Sequence, residues 1–106
     1  MIDKKKIKEL IQKRIENEGF IEAGDESAWE NLSNYLSSDI AASIEYLETE
    51  ATPNEIYWIS EVFEDIAAKT RSKEFVAALR RIYDKLPKEI KRAIEFDIES
   101  SERTIR

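Results

Sequence analysis

Apolar residues return along this chain at intervals of three and four, the period of an amphipathic helix, and polar punctuation divides them into segments. Ile7, Leu10, Ile11 and Ile15 make the first stripe, with Asp3 placed to cap its helix. Gly19 is expected to close that helix in a left-handed cap, with Phe20 and Ile21 turning back onto the core. A short second helix opening at Asp25 or Ser27 would carry Trp29, Leu32 and Leu36 on its inner face. Ser38 and Asp39 punctuate the chain and can cap a third helix through Ile40, Ile44 and Leu47. The run Thr52-Pro53-Asn54-Glu55 is the sharpest boundary: Thr at N-cap, Pro at N1 and Glu at N3 make a capping box with a preset first turn.

The fourth helix is expected to run unbroken to about Thr70, with Ile56, Ile59, Ser60, Phe63, Ile66 and Ala67 inside. Ser72 opens a fifth with Phe75, Val76, Leu79, Ile82 and Leu86, and supplies half a capping box because Phe75 stands at N3. Pro87 interrupts the pattern and can begin a sixth helix with Ile90, Ala93, Ile94 and Ile98 in line. Residues 100–106 are expected to fray. Short connections favour antiparallel packing of successive helices. The fold predicted is all-α, a compact bundle of five to six short antiparallel helices or the same helices stacked as hairpins. No self-similar repeat favours the stack, so the bundle is preferred. The 106 residues read as a single helical domain over 1–106, and two Gly and two Pro leave little room for a turn-rich β architecture.

Composition narrows the chemistry. With no Cys there is no disulfide or thiolate, and with no His the usual proton shuttle near neutral pH is missing. Paired carboxylates such as Glu61 with Glu64 and Asp65, or Glu45 with Glu48, share helix faces. Without Glu-x-x-His spacing they read as a solvated acidic face, so no metal, cofactor or enzyme activity is expected. No phosphate-binding loop or nucleophile elbow is present. The N-terminus has charge but no apolar run behind it, and no stretch approaches a membrane span; the expectation is a cytoplasmic protein without membrane contact.

Charge changes the picture most. Between Glu16 and Ala68 stand fourteen acidic residues and no Lys or Arg, while all seventeen basic residues lie outside that stretch. The overall −6 therefore conceals a strongly acidic middle between two basic ends. Such a middle should repel phosphate backbones and attract basic proteins. The basic cluster from Lys4 to Arg14 lies mostly on the outer side of its helix, and the pI near 4.8 argues against a nucleic-acid footprint. On the fourth helix, Trp58, Glu61 and Asp65 fall opposite the inner stripe, with Tyr57 beside Glu64 on the flank. An indole among carboxylates has the composition of a binding hot spot, unless Trp58 packs on a second neighbouring helix. Trp29, Tyr46 and Tyr83 read as packing residues.

The segment Asn54-Glu-Ile-Tyr-Trp-Ile-Ser-Glu-Val-Phe-Glu-Asp-Ile-Ala-Ala-Lys-Thr-Arg-Ser-Lys-Glu-Phe75, followed by Leu79-Arg-Arg-Ile-Tyr83 and Pro87, resembles small acidic helical immunity proteins of bacterial polymorphic toxin systems, including contact-dependent growth inhibition. The likeness covers roughly Ile44 to Pro87 and carries no catalytic signature. It implies a cytoplasmic protein that binds one cognate toxin domain, usually a nuclease, and blocks it by stoichiometric occlusion. The acidic middle agrees, because a nuclease needs a basic surface that an acidic protein can cover. Glu48, Glu55, Glu61, Glu64 and Asp65 are the expected steering or pairing groups, and Tyr57 and Trp58 the expected anchors. The surface of Glu22, Asp25, Glu26 and Glu30 is the other candidate. The competing class is a helical adaptor or scaffold docking a basic partner. A helix-turn-helix regulator lacks a base-reading face, although the fifth helix carries Lys73, Arg80, Arg81 and Lys85.

Overall fold

The computed structural model describes residues 2–16 and 24–105, with the side chains of 24–28 excepted. The expected Gly19 cap and the return of Phe20 and Ile21, like Glu22, lie outside these residues, as do the side chains of Asp25 and Glu26. Among the described residues the elements are α1 (Lys4–Glu16), α2 (Gly24–Ser37), α3 (Ile40–Thr49), α4 (Pro53–Ile59), a 3-10 turn (Ser60–Val62), α5 (Phe63–Thr70), α6 (Lys73–Asp84) and α7 (Lys88–Thr104). The fold is an all-α bundle.

The caps form where the sequence places them. Asp3 Oδ1 accepts from Lys5 N–H at 2.9 Å, and Asp39 accepts from Ala42 N–H at 3.1 Å. Both halves of the capping box close: Thr52 Oγ1 accepts from Glu55 N–H at 3.1 Å, and Glu55 Oε1 from Thr52 N–H at 2.9 Å. Ser72 accepts from Phe75 N–H at 3.0 Å. Between α5 and α6 the chain reverses at Arg71, whose φ of 54° is left-handed. That conformation costs a non-glycine residue about 1 kcal/mol or more. The Arg71 N–H bond to Ala67 O at 2.8 Å, and its side-chain bond to Thr104 O at 3.0 Å, hold it.

One apolar cluster joins α1 to α7, with Phe63 and Phe75 edge to face at 6.1 Å and both fully buried. The helix α5 lies between α2 and α7, while α3 packs on α6 and α1 on α2 and α4. The sequence stripes match this core, with three corrections. On α3 the deepest residues are Ser43, Tyr46 and Leu47, and Ile40 and Ile44 are half-buried. Ala93 is exposed, outside the line of Ile94 and Ile98. Finally, α7 does not fray at residue 100. Ser100 and Ser101 are buried, and their neighbourhood is tied down by the bidentate Arg80–Glu102 pair at 3.1 and 2.7 Å and by the Arg71–Thr104 bond.

Truncation of the ring at the centre tests this packing. Phe63→Ala should cost about 3–5 kcal/mol, as aromatic-to-alanine changes do in cores. Thermal and urea denaturation should show most of the stability of so small a domain lost.

Candidate functional site

The expected single helix from Pro53 to Thr70 is broken by its 3-10 turn. Ser60 Oγ donates to Tyr57 O at 2.6 Å, and Val62 adopts φ −112°, ψ 7° before the α-helix resumes. A 3-10 turn advances about three residues per turn and so re-aims the side chains beyond it. Trp58, Glu61 and Asp65 do share a side, as the sequence implies, but that side meets α1 and α2. Trp58 is half-buried and packs against the core, which is the alternative to a binding hot spot that the sequence left open: the helix has a second packing face.

At the centre of that face is Arg14, a residue only 8% exposed. It lies over the Trp29 ring at 5.1 Å to the centroid and over the Trp58 ring at 5.6 Å. Its Nε and Nη2 each donate to a Glu61 oxygen at 2.9 Å, and Trp29 Nε1 donates to the same carboxylate at 2.9 Å. The planar guanidinium alone suits both tasks, since it can stack on indoles and grip a carboxylate with two parallel bonds. Trp29, expected inside, is 39% exposed: its ring lies against Arg14, and it is Leu32 and Leu36 that α2 buries in the core.

The remaining expected site residues are also engaged. Glu55 holds the cap and pairs with Lys8 at 2.9 Å. Burial pushes its carboxyl up, but the bonds from Thr52 N–H and Lys8 outweigh this and leave it below the usual range. Asp65 accepts from Ser33 Oγ and pairs with Lys69 at 3.1 Å; the Ser33 bond first, then Lys69, holds it low. Glu48 pairs with Arg81 on the α3–α6 side, apart from the others. Lys4 completes the series by pairing with Glu50 at 2.6 Å.

Glu64 differs. Its one described contact is a long 3.4 Å bond from Thr104 Oγ1, and no cation among the described residues pairs with it. Asp97 on α7, which the sequence reading passed over, is half-buried nearby. Burial, then the Glu61 and Glu64 charges, push its carboxyl above the usual range, and the Ser60 hydroxyl offsets this only in part. Tyr57 on α4 is 39% and Phe96 on α7 69% exposed, and Tyr57 stands edge-on to Trp58 at 5.5 Å. Phe96 could have been found from the sequence, because it falls off the Ile90–Ile94–Ile98 stripe. Asp97 could not, since its neighbours come from a distant segment.

No protein-family model matches the chain, and neither a curated protein nor a solved structure does. No group of three or more potential metal-ligating residues is found among the described residues. No helix there is long and apolar enough to cross a membrane.

Two measurements probe this arrangement. A double-mutant cycle of Arg14→Met and Glu61→Gln, read by denaturant unfolding, should give a coupling energy of about 1–3 kcal/mol. For Asp97 the sign is opposite to that of an ordinary paired carboxylate. Its raised folded pKa means that stability is gained as pH falls through that value, so its charge is a cost at neutral pH. Asp97→Asn should therefore melt higher than the parent at pH 7, with the difference closing in acid. Glu55 and Asp65, with lowered values, contribute stability that is lost as pH falls below the ordinary carboxylate range.

Proposed function

We propose that this chain is an immunity protein: it binds a cognate bacterial toxin domain, a basic nuclease, and neutralises it by covering its phosphate-binding surface one to one. The observation that carries this reading is the mutual repulsion of Glu64 and Asp97, neither of which has an ion pair among the described residues, together with the exposure of the Tyr57 and Phe96 rings. Carboxylates crowded without a cation attract one from a partner, and exposed aromatics supply the apolar contact that holds it. The likeness of residues 44–87 to acidic immunity proteins supports the same reading.

The division of labour differs from that expected of the sequence. Glu55, Glu61 and Asp65 are held by Lys8, Arg14 and Lys69, so they shape the surface more than they steer. Glu64 and Asp97 steer. Tyr57 is the anchor, and Trp58 backs it from within. Trp29, fixed by its bond to Glu61, offers a second rigid aromatic surface at low entropic cost. Occlusion needs no catalysis and no cofactor, and the site of action would be the cytoplasm.

An affinity pull-down of the tagged protein from its native cytoplasm, at low and high salt with mass-spectrometric readout, tests this. The expected result is one basic nuclease domain in equal amount. Glu64→Gln with Asp97→Asn should reduce its recovery and flatten the salt dependence, although Asp97→Asn raises stability. Recovery of a regulatory complex, with no binding to a supplied toxin domain, would replace this reading with that of an adaptor.

A further inference from the structure

A cleft of about 160 Å³ opens where the end of α3 and the start of α4 meet the C-terminal end of α6. Its floor is Leu47, Ile56, Ile82 and Leu86, each at most 8% exposed. The α3–α4 connection that walls it is held by Ala51 N–H to Tyr46 O at 2.9 Å and by the capping box at Thr52. The recess is therefore preformed. Its volume is close to the roughly 150 Å³ of an enclosed apolar cavity that takes up benzene, but here the recess is open on one side and has a charged rim.

The rim adds direction. Glu48 is neutralised by Arg81, whereas Lys85, also at the mouth, has no ion pair among the described residues. Two cations against one anion leave the mouth with a single positive charge above an apolar floor. A six-membered ring fits the floor, and a carboxylate on it would meet the free ammonium. An amine in its place would face Lys85 and Arg81 together.

We propose that this cleft is a binding site for a small aromatic carboxylate. It uses none of Tyr57, Glu64 and Asp97, so it stands or falls independently of the toxin-binding reading. It also gives Glu48 a different role, that of holding Arg81 at the rim.

Methyl NMR spectra of the full chain, titrated separately with benzoate, benzyl alcohol and benzylamine, test it. Benzoate should give saturable shifts confined to Leu47, Ile56, Ile82 and Leu86. It should bind more tightly than benzyl alcohol by a factor of about two to five, the scale of an exposed ion pair, with benzylamine weakest. Lys85→Gln should remove that order while leaving ring binding in place. Ala51→Phe, which fills the recess, should abolish the shifts. Should Ala51→Phe fail to fold, the Lys85→Gln comparison still decides. Absence of saturable shifts would overturn the proposal, as would equal binding of all three ligands or a carboxylate preference that survives Lys85→Gln.

Discussion

The stacking of Arg14 between two indoles, with Glu61 gripping its edge, fixes how the basic start of the chain meets its acidic middle. Four elements converge on that guanidinium: α1 carries it, α2 brings Trp29, the end of α4 brings Trp58, and the 3-10 turn brings Glu61. Each indole contact contributes about 0.5–2 kcal/mol, and charge-assisted bonds to a carboxylate add comparable amounts. A lysine cannot replace it, for a point charge neither stacks flat nor grips twice. The 3-10 turn sits beside this contact, and Glu61 is its central residue.

Because of that contact, charge segregated along the sequence is mixed in space. Lys4, Lys8 and Arg14 meet Glu50, Glu55 and Glu61 in the same order, so α1 lies parallel to the segment that it neutralises. A basic partner could compete for those carboxylates only by prising α1 away. Ile7, Leu10 and Ile11 oppose this, since each buried aliphatic side chain is worth about 1.5–3 kcal/mol. The apolar term outweighs anything that exposed ion pairs offer. Hence α1 is a fixed wall, and Glu64 and Asp97 are among the carboxylates that it does not reach.

How much of this was legible follows from the range of each signal. Caps at Asp3, Asp39, Thr52 and Ser72 are local chemistry, readable within four residues, and all four form. The periodicity named the face of each helix but not what would cover it. Trp58, Glu61 and Asp65 were thus placed on one side correctly, and a second packing helix was left open for Trp58, but that α1 and α2 lie there was not readable. The steadiness of α7 beyond Ser100 was hidden for the same reason, because Arg71 and Arg80 hold it from afar. Of the candidate site, Tyr57 and Glu64 were visible in the sequence as exposed positions. Asp97 acquires its character from burial and from carboxylates more than thirty residues away.

The chain contains two tryptophans, and both rest on the same guanidinium. Intrinsic fluorescence of this protein is therefore a local instrument, not an average over the fold. Its emission registers whether the first helix is seated against the second and fourth, and is nearly blind to the packing of α6 on α7. A spectroscopic transition that preceded loss of helical circular dichroism would mark the lifting of α1 as a separate step. Coincidence of the two would make this basic helix an integral part of one cooperative unit.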